Sequence, residues 1–267
     1  MEKSDILKAE KEFGRLLGIM NELRAQCPWD KEQTFESLRK LTIEETYELG
    51  DAILKEDSKE IRNELGDLML HIVFYSKIGS ETDDFNITNV LESIIKKLIF
   101  RHPHIYGNVK VDSAEDVLQN WEEIKLKEGR KGVLTGVPLS LPAMVKANRI
   151  QEKVHGVGFD WKEKEEVWQK VEEEINELKL ELTKAPKDSA LNNSKEIEAE
   201  FGDLMFSLIN AARLYGIDPE NALQRTNLKF IDRFQYIEQK ANEIGKSIRE
   251  MTLEEMDTFW EEAKNKG

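Results

Sequence analysis

The chain has a single cysteine, Cys27, in 267 residues, which rules out an internal disulfide. Prolines number only 6 and glycines 15, with charged residues at 34% and hydrophobic ones at 39%, the balance of a helical soluble protein. No uninterrupted apolar run is long enough to span a bilayer, and Met1-Glu2-Lys3-Ser4-Asp5 lacks the apolar core of a signal peptide. These absences predict a reducing, cytoplasmic setting. Positive charge is also scarce: 39 Lys and Arg stand against 53 Asp and Glu, a formal net charge of -14. That balance argues against an unaided grip on nucleic acid or on an anionic membrane, so an anionic substrate would need a metal or local basic residues. The length predicts one large or two medium domains.

What is abundant is helical periodicity. Ile6, Phe13, Leu16, Leu17, Met20 and Leu23 predict a first amphipathic helix, ended by Cys27-Pro28. Cys27-Pro28-Trp29-Asp30 reads as a turn, and Thr42-Ile43-Glu44-Glu45 as a capping box opening a helix that runs to about Leu54. Asp57-Ser58-Lys59-Glu60 opens the next helix, to about Ile78, whose second half is apolar nearly all round and so predicts central burial. A fourth helix is expected from Phe85 to Arg101, and a shorter one capped by Ser113 carries Val117, Leu118, Trp121 and Ile124. Periodicity fails between Gly129 and Pro138, which puts a boundary near 130 and domains at 1–130 and 131–267. Beyond it, helices are predicted from Leu141 to Val154, Trp161 to Leu182, Lys195 to Tyr215 and Pro219 to Ile244, with Thr252 capping the last. The expected fold is all-α.

Chemistry concentrates in a repeated acidic pattern. Glu45 and Glu48, then Glu64 and Asp67, recur as Glu174 and Glu177, then Glu200 and Asp203. Residues three apart share a helix face, so two such helices side by side gather four carboxylates, an unfavourable arrangement unless a hard divalent cation binds between them. One Glu-Glu-x-x-Glu is usually a solvated face, but here a second pair lies on a mostly apolar helix and the whole pattern repeats. Matching residues are 129 apart for the first pair and 136 for the second, as for a duplicated domain with a lengthened loop. Asn89, Lys97 and Arg101 recur as Asn221, Lys229 and Arg233, and Trp121 with Lys125 as Trp260 with Lys264. The basic residues read equally as surface cations, and the tryptophans as core or as stacking groups. Glu44 and Glu173, just outside the quartets, are candidates for orienting a water. His71, His102 and His104 have no histidine counterpart in the other half, His155 sits in a loop without an identifiable acidic neighbour, and Cys27 is unmatched, so a shared mechanism does not depend on them.

Cys27-Pro28-Trp29-Asp30, the first quartet, Arg101-His102-Pro103-His104 and Phe159-Asp160-Trp161 resemble the MazG family of nucleoside triphosphate pyrophosphohydrolases, over essentially the whole chain. The resemblance implies two tandem helical-bundle domains, a homodimer, and Mg²⁺-dependent hydrolysis of NTPs and dNTPs to monophosphate and pyrophosphate. It implies metal ligands at Glu45, Glu48, Glu64 and Asp67 and at Glu174, Glu177, Glu200 and Asp203. Substrate contacts would fall at Lys97, Arg101, Trp121 and Lys125, and at Lys229, Arg233, Trp260 and Lys264. Phe100 stands where the family often has a second arginine, which weakens the expected phosphate grip of the first half. Two rivals come from other classes. A di-iron bundle would need Glu-x-x-His, which neither quartet has, whereas a non-catalytic Mg²⁺ and nucleotide sensor or scaffold is separated from the enzyme only by pyrophosphate release.

Overall fold

The computed structural model describes residues 2–113, 116, 117, 120, 121, 124, 132–184 and 195–266. Helices and turns account for all its regular structure among the described residues, and the fold is all-α. Lys125, Leu118 and the expected boundary near residue 130 fall outside those residues. No helix of the described residues is long and apolar enough to cross a membrane. The chain divides into two compact units, Met1–Lys110 and Val111–Gly267.

In the first unit, α1 (Lys3–Gln26), α2 (Pro28–Glu32), α3 (Phe35–Leu54), α4 (Ser58–Glu81), α5 (Ile87–Arg101) and α6 (Pro103–Tyr106) follow in order. The core joins Met20 of α1, Leu38 of α3 and Val73, Phe74 and Ile78 of α4, with Phe13, Leu16, Leu17, Leu41 and Tyr75 packed around it. The expected turn at Pro28 is a short helix instead, because a proline at its first position forfeits an N–H that has no intrahelical partner there. The expected start of α3 at Thr42 is also corrected. The true box is at Thr34, whose Oγ1 accepts from Ser37 N at 3.1 Å while Ser37 Oγ accepts from Thr34 N at 2.9 Å. Starting there brings Leu38 into the core one turn before Thr42. Thr42 is thus interior: its hydroxyl lies 3.0 Å from the Leu38 carbonyl, 3.1 Å from His71 Nδ1 and 2.7 Å from the Tyr75 hydroxyl.

α4 is opened by Asp57, whose Oδ1 accepts from Lys59 N and Glu60 N. Its expected central burial holds for His71, Val73, Phe74, Ser76 and Ile78, but Leu65, Met69, Leu70 and Ile72 are exposed in the single chain. α5 goes further, with no buried residue although its apolar stripe is clear. In the last turn of α4 Gly79 is obligatory, since a Cβ there would meet the Phe85 ring at 2.8 Å and the Phe85 carbonyl oxygen at 2.9 Å.

The second unit contains α7 (Ala143–His155), α8 (Val167–Lys184), α9 (Lys195–Leu214), α10 (Pro219–Glu243) and α11 (Leu253–Lys264). α8 starts later than the pattern predicted, because Trp161–Glu163 are non-helical and Lys164–Glu166 form a 3-10 turn before it. Val167, Val171 and Ala211 form one core between α8 and α9, and Ile237, Ala241 and Met251 another where α10 meets α11. Thr252 caps α11 through a box with Glu255 as expected. Asn89 and Asn221, paired by sequence, both occupy the third position of a helix: Asn89 Oδ1 accepts from Asn86 N, and Asn221 N donates to Asp218 Oδ1. Their recurrence is explained by helix starts rather than by chemistry.

Candidate functional site

The two acidic patterns become two clusters because each pair of helices that carries them is closely packed, α3 on α4 in one unit and α8 on α9 in the other. In the first, carboxylate oxygens of Glu45, Glu48 and Glu64 lie within 4.8 Å of one another. In the second the trio is Glu174, Glu200 and Asp203, at the same limit. Asp67 and Glu177 fall outside these trios, yet each acts on its neighbours. Burial, then the charges of Glu48, Glu45 and Asp67, push the Glu64 carboxyl up from the ordinary glutamate range. Burial, Asp67 and Glu48 do the same to Glu45, partly offset by a hydrogen bond with Glu64. Glu200 is pushed up by burial and by Glu177, Asp203 and Glu174.

One oxygen of each central glutamate, Glu64 Oε2 and Glu200 Oε2, is buried without a hydrogen-bond partner. A buried carboxylate oxygen needs a cation or a donor. Oxygen donors from several carboxylates, some with an unsatisfied lone pair, suit a hard divalent ion such as Mg²⁺ far better than a soft one. The residues present therefore fit the metal that the resemblance implies.

The clusters differ in one residue that the sequence reading passed over. Lys170 Nζ lies 2.7 Å from Glu174 Oε1 and 2.9 Å from Glu173 Oε1, and both contacts raise the lysine's own affinity for its proton. Glu174 is only 5% exposed, so the ammonium supplies the charge its carboxylate needs. The corresponding position of the first unit, at the same offset of 129, is Leu41. The signal was present as a Lys–Glu pair four apart on a helix, but such pairs are too common on solvated faces to stand out.

Glu44 and Glu48 are exposed on α3, and Glu173 lines a shallow recess of α8 with Glu172, Asn176 and Glu177. Lys97 is exposed and Arg101 half-buried on α5. Lys229 is exposed on α10, and one turn on the Arg233 guanidinium stands over the Trp260 ring, 5.5 Å from its centroid. Phe230 packs on the same indole at 5.1 Å, so Trp260 is engaged by its own unit. Lys264 Nζ is paired with Glu261 at 3.0 Å. Trp121 is half-buried and belongs to the second unit, whereas Lys97 and Arg101 belong to the first. His155 has the acidic neighbour that its sequence context concealed: its Nδ1 lies 2.7 Å from Asp160 Oδ2.

The family model described as MazG nucleotide pyrophosphohydrolase domain matches residues 33–106 and again 162–237, segments that contain both acidic helix pairs. A Thermotoga maritima protein named nucleoside triphosphate pyrophosphohydrolase/pyrophosphatase MazG is 40% identical over 258 residues, covering 94% of this chain and 95% of that protein. A nucleoside triphosphate pyrophosphohydrolase of Escherichia coli is 40% identical over 260 residues, covering 95% and 97%. A Bacillus subtilis protein, the uncharacterized YabN, is 44% identical over 267 residues, 97% of this chain and 53% of its own length. With a repeated domain match and relatives aligned over nearly its whole length, the chain belongs to the MazG family.

Proposed function

We propose that this chain is a Mg²⁺-dependent nucleoside triphosphate pyrophosphohydrolase, cleaving NTPs and dNTPs to the monophosphate and pyrophosphate. The observation that carries the reading is the pair of carboxylate trios, each with a buried oxygen that has no partner. Relatives named for this activity align with the chain from end to end.

Glu45, Glu48, Glu64 and Asp67, and Glu174, Glu177, Glu200 and Asp203, would hold the ion. Bound Mg²⁺ offsets the charge of the triphosphate and polarises the phosphorus that is attacked. The chain's own residues do the rest. Lys97 with Arg101, and Lys229 with Arg233, are spaced one helical turn apart and stabilise charge on the departing pyrophosphate. Trp121, Lys125, Trp260 and Lys264 complete the substrate contacts. Glu44 and Glu173, beside the quartets, orient the attacking water, and Lys170 holds Glu173 in position for it.

A homodimer and a cytoplasmic setting belong to the same proposal. Leu65, Met69 and Ile72 of α4 and Leu91, Ile95 and Leu98 of α5 are exposed in the single chain, as are Phe201, Met205 and Leu208 of α9. Rows of apolar residues on adjacent turns are rarely left in water.

Product identity tests the function. Each common NTP is incubated with the protein and Mg²⁺ or chelator, and monophosphate, diphosphate, pyrophosphate and orthophosphate are resolved. Monophosphate with pyrophosphate is expected, only with metal, and Glu48→Gln or Glu177→Gln lowers the rate by about a hundredfold or more in the half that works. Nucleotide binding with no turnover would leave a sensor or scaffold in place of the enzyme.

A further inference from the structure

The two quartets are identical in residue type, Glu, Glu, Glu and Asp, so a difference between them has to come from the residues around them. Lys170 is such a residue. It stands one helical turn before Glu174 on α8, its Nζ 2.7 Å from Glu174 Oε1 and 2.9 Å from Glu173 Oε1. The partners differ in freedom. Glu174 is buried, whereas the side chains of Lys170 and Glu173 are 38% and 55% exposed. The carboxylate of Glu174 is therefore fixed in the cluster, and the ammonium, on a four-carbon stem that reaches water, can leave it. In the first unit the matching position is Leu41, packed against the core, and the strongest influences on Glu45 and Glu64 are burial and other carboxylates.

A tethered ammonium and a divalent ion compete for the same carboxylate. Repulsion between them is little screened where that carboxylate is buried, so an ion that enters the second cluster alone has to drive Lys170 off Glu174. Glu173 offers the ammonium a place to go, since it already holds it at 2.9 Å and lies outside the quartet. A triphosphate changes the balance, because its oxygens carry enough negative charge to accommodate ion and ammonium together. Ion and nucleotide then favour each other's binding, and by the same factor in both directions. In the first cluster the apolar Leu41 opposes no ion.

We propose that Lys170 is a built-in competitor for the metal, so that the second cluster takes up its divalent ion together with the nucleotide, whereas the first, with Leu41 in that place, takes up an ion by itself. The proposal rests on the reading above only in placing ion and nucleotide at these clusters. It gives two identical ligand sets different tasks: one holds an ion between turnovers, and the other receives it with each substrate.

Mn²⁺ titrated into the full chain without nucleotide, and followed by electron paramagnetic resonance, tests it. Two classes of site are expected, at least tenfold apart, with the tighter lost in Glu64→Gln and the weaker in Glu200→Gln. Lys170→Met should bring the weaker class within threefold of the tighter, while Lys170→Arg, which keeps the charge, should leave it weak. With saturating α,β-methylene ATP, and after allowance for Mn²⁺ held by free nucleotide, the weaker class should tighten a hundredfold or more in wild type and by a factor at least ten times smaller in Lys170→Met. The proposal is overturned if no Mn²⁺ binds, if the classes coincide in wild type, if Glu64→Gln removes the weaker one, or if folded Lys170→Met leaves the gap unchanged. If Lys170→Met does not fold, the wild-type gap and its assignment by the two glutamine variants still decide. Product analysis is separate: coincident classes with normal turnover sink the proposal alone, whereas two classes with this dependence on Lys170 and no turnover sink the hydrolase reading alone.

Discussion

Glu64 and Glu45 face only negative neighbours among the groups that act on their charge, and Glu200 is in the same position. A carboxyl whose folded pKa is raised stabilises the fold below its unfolded value, about 4.3, and loses that contribution as pH rises through the folded value. At pH 7 in chelator the ionised glutamates therefore cost stability. Glu64→Gln and Glu200→Gln are expected to melt above wild type there, the gain shrinking as pH falls toward the ordinary glutamate range. With saturating Mg²⁺ the order reverses, and thermal melts across pH with and without the ion check both signs. Lys170→Met should act oppositely on fold and metal. It strips the buried Glu174 of its partner, lowering stability in chelator by about 1–3 kcal/mol, while removal of a competing positive charge tightens Mn²⁺ binding several-fold, as titration calorimetry would register. At this scale the glutamates were legible because spacing and repetition marked them. Gln151, Asp160 and Arg213 were not, since their hydrogen bonds join α7, α9 and a loop in contacts that no local pattern encodes.

Among the elements, the periodicity gave the long helices their existence but read α2 as a turn, passed over α6, and misplaced two starts and one burial. The start of α3 was missed because its box uses Ser37 where the familiar pattern has a glutamate. Thr42, read as a cap, instead joins α3 to α4 through His71 and Tyr75. Thr42→Val is expected to cost about 1–3 kcal/mol in urea unfolding by stranding those partners. The helix ends carry a different lesson. Glu56 and Asp83 take left-handed φ of 56° and 57°, whereas the turn after α9 uses Gly216 at 69°. A left-handed residue with a Cβ costs about 1–2 kcal/mol, so Glu56→Gly and Asp83→Gly should each raise stability by about 1 kcal/mol, visible as a higher urea midpoint with an unchanged slope. The exposure of α5 could not be foreseen from its stripe, because a stripe states that a face suits covering and not what covers it.

For the whole molecule, the exposed stripes of α4, α5 and α9 make association the expected state. Sedimentation should give a dimer, and Leu65→Lys with Met69→Lys, or Phe201→Lys with Met205→Lys, should shift it toward monomer if the corresponding face is the one covered. The duplication itself was legible in the drift of offsets, whereas the difference between the copies was not, since Leu41 and Lys170 each look ordinary in their own helix. Under the Mg²⁺ binding proposed above, that single exchange would give the copies unequal tolerance of ion shortage. In the second helix pair the Lys170 ammonium lies against Glu174, so its α8–α9 contact has a counter-charge before any ion arrives. The α3–α4 contact would, on the same proposal, draw its counter-charge from solution. As free Mg²⁺ falls, backbone amides of α4 should exchange with deuterium sooner than those of α9, making the first half the part of the molecule whose tightness follows the ionic composition around it.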